Sequence, residues 1–439
     1  YDGSSKFLPE NRWDFFWGVS AGWRLSEESF LKDVEWLTNL KLRASYAEVG
    51  NQSGIGNYDG VQLYNLNSNT GAYLGNGLAS YIATSGTFAS KTRSWERINN
   101  YNVAIDFGVN LAPGHTINGT VEYFQKRNNN MLVSVTLPGT LGDAAPSANK
   151  GKFKDYGWEG ELTYNGKVGQ VDYHVGGTFT FARNKLTEYE GTTVKSSGYT
   201  SNMVGYGIAS LFGLRYAGKI QNEEQLAAYE ALYFENNGIG MPSNLRVGDN
   251  MYCDENGDGK LDENDYIYLG SSEPEISYSF NLGASWKGFD VNVVFQGAAN
   301  RFIYRGNTTN WTVPYRGLYL NSLRSSIGNT WTPENTDAYY APYTNDGNIN
   351  LYNYQASSLT AQDGRYLRLK NVTIGYTLPK KYLQPLCIID ALRVYVTGAD
   401  LWETTKISDG WDPESKIATS GTSLYPFTRN WTFGLNVTF

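Results

Sequence analysis

A run of regularly spaced acidic residues, DENGDGKLDEND at 254–265, stands out in the sequence. Oxygen-bearing side chains fall at positions 1, 3, 5, 9 and 12 of the run, and Gly259 occupies position 6. This is the register of an EF-hand-type calcium loop, and a bound cation would offset the repulsion between the carboxylates. We expect Ca²⁺ to be held by the side chains of Asp254, Asn256, Asp258, Asp262 and Asp265 and by the backbone carbonyl of Lys260.

A solvated acidic turn is the alternative interpretation, because Gly, Asp and Asn are all turn-forming residues. Position 12 is Asp265 where an EF-hand has Glu, and its shorter side chain makes bidentate binding harder. The residues that follow, 266–269, have the sequence of a strand rather than of an exiting helix. The ion would therefore be structural, stabilising a single loop within a larger β-structure.

Other residues that could do chemistry are sparse. Cys253 and Cys387 are too few for a disulfide framework, and we expect them to lie too far apart to pair with each other. His115 and His174 have no cysteine or acidic neighbours at metal-ligand spacing. Nucleotide-binding and nucleophile motifs do not occur in the sequence, so we expect no enzyme activity. The net charge of −7 argues against a nucleic-acid partner.

Composition and residue alternation predict an all-β fold. The chain is rich in Tyr (34), Trp (12) and Gly (48) and has only 18% charged residues, a mixture that favours strands and turns. In the last strand Trp431 and Phe433 alternate with Thr432 and Gly434, which gives one apolar and one polar face. Eleven strands are predicted, near 11–24, 37–49, 98–112, 115–128, 155–166, 170–184, 275–287, 289–302, 364–378, 390–401 and 428–439.

The connections between these strands alternate in length. Short or medium ones alternate with long ones, which is typical of outer-membrane β-barrels with short periplasmic turns and long extracellular loops. The sequence has no run of 18 apolar residues, so a membrane crossing would have to use strands. The predicted extracellular loops are 50–97, 129–154, 185–274, 303–363 and 402–427.

Two finer features are predicted within this pattern. The alternation changes phase near Lys370 and Asn371, which indicates a β-bulge. Residues 222–235 and 27–36 have helical composition, and the first of these lies in the longest loop.

Six further segments have recognisable sequences: DGSSKFLPENRWDFFWGVSAGWRLSEESFL (2–31), LKLRASYAEVGNQ (40–52), WERINNYNVAIDFG (95–108), GRYLRLKNVTIGYTLP (364–379), LRVYVTGADLW (392–402) and WDPES (411–415). These segments resemble the SusC/RagA-type TonB-dependent transporters, and the acidic run also resembles one that this family often carries. The resemblance implies a transmembrane β-barrel in which this chain supplies the C-terminal half, about 11 of 22 strands, with the plug domain outside this chain.

The resemblance also implies a function and partners. The function is active import of oligosaccharides, or in some members oligopeptides, across the outer membrane of a Bacteroidetes-type Gram-negative bacterium. The partners are a SusD-like surface lipoprotein that acts as a lid, TonB acting through an upstream segment, outer-membrane lipid, and a second SusC–SusD pair in a dimer. A passive porin of similar architecture and a surface structural or adhesive β-protein are the rival interpretations.

Aromatic residues between 303 and 363 are candidates for contact with substrate or lid. Aromatic faces stack on sugars and also anchor protein partners. Packing among the loops themselves is the third interpretation. The candidates are Trp311, Tyr315, Trp331, Tyr340 and Tyr352.

Overall fold

An eleven-stranded antiparallel sheet is the main element of the computed structural model, and its strands lie side by side in chain order. The structure describes residues 1–67, 73–74, 77–78, 81–84, 88–135, 140, 145–191, 193, 195–200, 202–233, 242–306, 322, 324–383, 388–408, 410–414 and 427–439. The strands are β1 (Gly18–Arg24), β2 (Leu37–Asn51), β3 (Glu96–Ala112), β4 (His115–Ser134), β5 (Ser147–Val168), β6 (Val171–Tyr189), β7 (Ile276–Trp286), β8 (Phe289–Ala299), β9 (Tyr366–Thr377), β10 (Ala391–Thr405) and β11 (Asn430–Thr438). The eleven predicted strands are confirmed.

The two ends of the sheet differ in their connections, as predicted. At the short-connection end, tight turns join β3 to β4, β5 to β6 and β7 to β8. Lys287 and Gly288 form the last of these turns with φ values of 50° and 89°. Positive φ at both residues is the type I′ geometry, whose twist matches that of the flanking strands. β1 and β11 are the edges of the sheet, and among the described residues neither has a second neighbour in it.

Small additional elements lie in the connections, most of them at the long-connection end; the helix Lys380–Leu383 and the 3₁₀ turn Leu25–Glu27 lie at the short-connection end. Helix α1 (Glu223–Tyr233) confirms the helix predicted in the longest connection, and α2 (Gly347–Asn353) and α3 (Lys380–Leu383) are shorter. In the described part of the chain no helix is both long and apolar enough to cross a membrane. The paired short strands are Asp2–Gly3 with Trp13–Asp14, Tyr64–Asn67 with Tyr81–Thr84, Tyr73–Leu74 with Gly77–Leu78, Tyr216–Lys219 with Asn250–Tyr252, Phe302–Ile303 with Gln362–Asp363, and Gly198–Thr200 with Ser210–Gly213 and Ile267–Ser271. Single 3₁₀ turns are formed by Pro9–Asn11, Leu25–Glu27, Glu263–Asp265 and Arg324–Ser326.

Three details test the finer predictions. The bulge is confirmed, because the pairing of β9 with β10 shifts register between Leu369 and Asn371. The loop predicted over 129–154 is shorter, since β4 and β5 stay paired as far as Ser134 and Ser147. The helical prediction for 27–36 is wrong, because this segment forms consecutive turns after a 3₁₀ turn. So short a helix is marginal unless it packs on neighbours.

Candidate functional site

One face of the sheet is apolar from β1 to β11. Directly paired residues share a face, so a row of side chains can be followed across neighbouring strands. Trp286, for example, pairs with Phe289, which pairs with Tyr376. A continuous exposed apolar surface of this kind requires a non-aqueous neighbour. Its exposed side chains include Val19, Leu42, Val103, Ile105, Val121, Leu162, Val175, Phe179, Phe280, Leu282, Val291, Ile374, Val394, Phe433 and Leu435.

Aromatic side chains border this apolar face at both ends. Toward the long connections, the ring centroids of Tyr123 and Trp158 lie 5.1 Å apart. Toward the short connections, those of Phe289 and Tyr376 lie 4.4 Å apart. Two aromatic belts that flank an apolar band mark the two interfaces of a membrane. The upper belt consists of Trp17, Tyr46, Tyr101, Tyr123, Trp158, Phe181, Trp402 and Trp431, and the lower belt of Trp23, Tyr164, Tyr173, Trp286, Phe289 and Tyr376.

The opposite face is polar and carries paired charges. Arg43 on β2 lies 3.1 Å from Asp106 on β3 and 2.8 Å from Glu122 on β4. Near the short connections, Arg393 Nε donates to Asp290 Oδ1 over 2.9 Å. Charges of this kind are tolerated where they face water or other polar groups. The sheet therefore has one face suited to lipid and one suited to an aqueous interior.

The acidic run at 254–265 folds into a compact loop. The carboxylate of Asp254 accepts hydrogen bonds from the backbone N–H groups of Gly257 (2.6 Å) and Gly259 (2.8 Å). The fully buried carboxylate of Asp265 accepts from Glu255 (2.9 Å) and Asp262 (2.8 Å). The first and last positions of the run therefore both hold its backbone in place.

The pKa values of these two carboxyl groups move in opposite directions. Burial opposes ionisation of Asp254, but the N–H groups of Gly259 and Gly257 outweigh it and lower its pKa. Burial raises the pKa of Asp265, and the neighbouring charge of Asp254 adds to this rise. The two carboxyl groups are thus close enough to interact, and in water such a pair gains from a shared cation.

The remaining predicted metal ligands bond to their own loop. The side-chain oxygens of Asn256, Asp258 and Asp262 accept from the N–H groups of Asp258, Lys260 and Asn264. Within the described residues, no three His, Cys, Asp or Glu side chains converge in a metal-binding arrangement. The loop therefore fits the ion in part: Asp254 and Asp265 lie close enough to interact, Asn256 Nδ2 donates to Asp258 Oδ2 over 3.1 Å, and each carboxylate retains lone pairs.

The two longest connections pack together around a shared apolar cluster, here called the loop core. Its buried members from 190–275 are Phe212, Leu214, Ile220, Tyr229, Leu245, Met251, Tyr252, Leu261 and Tyr266, and those from 300–365 are Ile349 and Tyr352. Leu261 lies inside the acidic run, and Tyr266 follows it directly. The acidic run is therefore fastened to the loop core by its own apolar residues.

The predicted contact residues have different environments. Tyr352 is 3% exposed and its hydroxyl lies 2.8 Å from that of Tyr229; Tyr340 is also 3% exposed, with its hydroxyl 2.8 Å from Ser325 Oγ. Burial of ring and hydroxyl favours the loop-packing interpretation for these two residues over direct contact. Trp331 is half-buried, and contact with substrate or lid stays a prediction for it. Trp311 and Tyr315, like Cys387, lie outside the described residues.

A buried polar network in the loop core was not predicted from the sequence. Asp249 is fully buried, accepts a hydrogen bond from Asn353 Nδ2 over 2.8 Å and forms an ion pair with Arg246 over 3.1 Å. Lys219 Nζ donates to Asn250 Oδ1 over 2.8 Å, and burial lowers the pKa of Lys219 to about 8. These residues share no motif, so only the three-dimensional structure brings them together.

Arg368 on β9 is a second buried charge that sequence patterns did not reveal. Its guanidinium is fully buried and pairs with Glu403 on β10 and with Asp412 and Glu414. The ring of Phe427 lies 4.1 Å from the guanidinium carbon. Asp412 and Glu414 belong to the WDPES segment at 411–415, so Arg368 fastens the last long connection to the sheet.

A cavity of about 550 Å³ lies between the sheet and the longest connection. Arg183 on β6 and Glu275 form an ion pair of 3.0 Å in its lining, and the rings of Tyr206 and Tyr268 lie 5.2 Å apart. Tyrosine rings beside charged and amide groups can both stack on a ligand and hydrogen-bond to it. The other polar lining residues are Asp155, Tyr156, Asn184, Lys185, Ser210, Ser271 and Glu273.

Comparisons with known proteins agree with this architecture. Residues 1–237 match the sequence profile of a family described as TonB dependent receptor-like, beta-barrel. The chain is 28% identical over 464 residues to a TonB-dependent receptor of Formosa agariphila and 27% identical over 450 residues to the TonB-dependent receptor SusC of Bacteroides thetaiotaomicron. It matches over 100% of its own length but only 44% and 41% of theirs, so it spans less than half of these relatives.

Solved structures share the fold. The RagAB peptide importer in its "closed-closed" state superposes with a TM-score of 0.75 and 23% identity, over 100% of this chain and 45% of that one. A structure of the RagAB peptide transporter gives a TM-score of 0.76 and 22% identity, over 100% of this chain and 44% of that one. At this level of identity the similarity concerns the fold.

Proposed function

Because the chain belongs to the TonB-dependent receptor β-barrel family, we propose that it forms the C-terminal half of a transporter barrel that imports nutrients across a bacterial outer membrane. The observation that carries this proposal is the two-faced sheet, with an apolar band between two aromatic belts on one face and paired charges on the other. Strands outside this chain complete the barrel along β1 and β11.

The proposed transporter works with a SusD-like surface lipoprotein and with TonB. The relatives named SusC and RagAB support this assignment at the level of the family. In this arrangement the long connections face the outside of the cell, and the loop core presents a folded surface on which a lid can dock. Among the predicted aromatic residues that the structure describes, Trp331 is the one that remains available for such a contact.

The proposed substrate class is oligosaccharide, with oligopeptide as the second candidate. The cavity beside Arg183 and Glu275 supports a substrate contact, since its tyrosine rings suit sugar faces and its ion pair suits polar groups. RagAB is a peptide importer, and this supports the second candidate at the level of fold similarity.

A structural calcium ion in the acidic run is part of the proposal. Asp254 and Asp265 would hold it from the two ends of the run, with Asn256, Asp258, Asp262 and the carbonyl of Lys260 completing its shell. The hydrogen bonds within this loop support the assignment, because they hold the predicted ligands around a single turn of the backbone. The ion would neutralise carboxylates that otherwise repel one another.

Uptake by cells carrying the full-length protein tests the function. Cells with and without the gene are given fluorescent oligosaccharides and oligopeptides of defined length, in the presence or absence of a protonmotive-force uncoupler. Energised import predicts that accumulation needs both the gene and the protonmotive force. Gene-dependent uptake that the uncoupler does not change would identify a passive channel and contradict the proposal.

A further inference from the structure

A stripe of small, mostly uncharged residues runs along the polar face of β6 and β7, between two cavities. We infer that this neutral stripe is the path along which an uncharged oligosaccharide passes through the barrel. The inference deepens the proposed function and rests on it, because it assigns the surface that carries the imported substrate. The neutral stripe consists of His174, Gly176, Thr178, Thr180 and Ala182 on β6 and of Ser277, Ser279, Asn281, Gly283 and Ser285 on β7.

The face on which the stripe lies follows from the strand alternation. Val175 and Phe179 on β6 and Phe280 and Leu282 on β7 lie on the apolar face, each between 41% and 48% exposed. Successive side chains of a strand point to opposite faces of the sheet. The residues that alternate with these four, such as Thr178, therefore point toward the polar interior of the barrel.

The stripe begins and ends at a cavity. Ala182, at its long-connection end, lines the cavity of about 550 Å³ that also contains Arg183 and Glu275. His174 and Ser285, at its other end, line a second cavity of about 470 Å³. Positions 182 and 174 are eight residues apart, about 26 Å along the strand at roughly 3.3 Å per residue. The stripe therefore joins the cavity proposed for substrate to a cavity near the short connections.

Two glycines keep the stripe shallow. A Cβ atom on Gly283 would collide with the ring of His174, and one on Gly176 would collide with the side-chain amide of Asn281. Glycine in a strand marks a close approach of this kind. The side chains of His174 and Asn281 therefore lie across the neighbouring glycine instead of projecting into the interior. A chain molecule can pass over such a surface without meeting a large side chain.

The chemistry of the stripe suits an uncharged ligand rich in hydroxyl groups. Thr178 Oγ1 lies 2.7 Å from Ser279 Oγ at the centre of the stripe. Hydroxyl groups both donate and accept hydrogen bonds, so a sugar hydroxyl can exchange with either partner. Each such bond contributes only about 0.5–1.5 kcal/mol. Many weak contacts let a ligand enter a path and also leave it, which transport requires.

The neighbouring part of the polar face is charged. Glu159 and Glu161 on β5 pair directly with Thr180 and Thr178 on β6, and Glu122 on β4 pairs with Glu159. At these heights the row of charges therefore ends at β5. A charge on the path would lose hydration whenever a sugar passed over it, at a cost in free energy. This favours β6 and β7 as the path, and it favours a neutral sugar over a peptide with charged side chains.

A blocking substitution tests the path in cells that carry the full-length protein. Ser279→Trp places a large ring at the centre of the stripe, and Asn118→Trp places the same ring at an exposed position on the polar face of β4. Uptake of the fluorescent oligosaccharides is expected to fall to the level of cells without the gene in Ser279→Trp and to stay at the wild-type level in Asn118→Trp. Equal uptake by wild type and Ser279→Trp, or equal loss in both variants, would overturn the inference.

Cysteine labelling of the purified full-length protein gives a second readout, which does not depend on assembly of a blocked barrel. Ser279→Cys and Asn118→Cys are made in protein carrying Cys253→Ser and Cys387→Ser, and each is treated with a maleimide with and without the same oligosaccharides. We expect the sugars to slow modification of Ser279→Cys and to leave Asn118→Cys unchanged. Protection by charged oligopeptides instead of sugars would overturn the assigned ligand class. Two unreactive cysteines would show that protein covers both strands, and this would also overturn the inference.

The two readouts separate this inference from the proposed function. Normal uptake by both wild type and Ser279→Trp would refute the path alone. Wild-type cells that accumulate no substrate would refute the transport function, while sugar protection of Ser279→Cys would still support a sugar contact on the stripe. Absence of both uptake and protection would overturn the two together.

Discussion

Asn250 and Asn353 are 103 positions apart in the chain and are joined by two hydrogen bonds in the loop core. The backbone N–H of Asn250 donates to Asn353 Oδ1 over 2.8 Å, and Asn250 Nδ2 donates to the backbone carbonyl of Asn353 over 2.7 Å. Both residues are fully buried. This pair joins the two longest connections, so they form one folded unit.

Asn353→Ala is expected to loosen both connections at once. The substitution leaves the N–H of Asn250 and one oxygen of Asp249 buried without this partner, at about 1–3 kcal/mol for each group. Hydrogen exchange should therefore become faster in 212–266 and in 338–357 together. Asn348→Ala, at an exposed position of the same helix, is the control and should change neither segment. Faster exchange in only one connection would contradict a shared core.

Arg368→Leu is expected to release the last long connection from the sheet. It leaves Glu403, Asp412 and Glu414 without their buried partner, which costs about 3–5 kcal/mol. Protease should then cut residues 406–429 in the folded protein. Arg365→Leu is the matched control, since its side chain is 60% exposed and solvent screens its pair with Asp363. Equal protease resistance of wild type and Arg368→Leu would refute the anchoring role.

Lys219 is expected to make the stability of the loop core depend on pH. Burial lowers the pKa of Lys219 to about 8 from the ordinary 10.5. Between these two pH values, Lys219 therefore binds more protons in the unfolded loop core than in the folded one. The free energy of unfolding should therefore rise with pH in this window, by at most about 1.4 kcal/mol per pH unit. Above about pH 10 the buried Tyr252 and Tyr352 oppose the rise, because burial raises their pKa values.

Hydrogen exchange of loop-core amides between pH 8 and 9.5, corrected for intrinsic rates, measures this slope. Lys219→Met should remove it, while Lys260→Met, at an exposed lysine of the same connection, should leave it unchanged. A slope of the same size in Lys219→Met would assign the pH dependence to another group.

Calcium is expected to protect the acidic run from protease. An isolated loop of this type on the cell exterior should have a dissociation constant of about 10⁻⁴ to 10⁻³ M. Asp254→Asn with Asp258→Asn should abolish protection of 246–272, whereas Glu263→Gln, at an exposed residue that is not a predicted ligand, should not. Protection that is identical in calcium and in chelator would leave the acidic turn as the correct interpretation.

The sequence could predict features that depend on neighbouring residues. Side-chain alternation located the eleven strands and the bulge between Leu369 and Asn371, because both are visible within a few positions. The extension of β4 to Ser134 was missed, because its pairing with β5 shifts register between Asn128 and Leu132 and this interrupts the side-chain alternation. The hydrogen-bonded pair Asn250–Asn353 could not be predicted. Its two residues belong to different connections, and the sequence does not show how these connections pack together.

In the proposed topology the sheet crosses the outer membrane with its long connections outside the cell. Single cysteines replace Glu263 and Asn345 on long connections and Lys167 and Gln170 on a short one, in full-length protein carrying Cys253→Ser and Cys387→Ser. Intact cells are treated with a membrane-impermeant maleimide, and permeabilised cells are the control. We expect labelling of Glu263→Cys and Asn345→Cys alone in intact cells and of all four after permeabilisation. Labelling of Lys167→Cys or Gln170→Cys in intact cells would contradict the account.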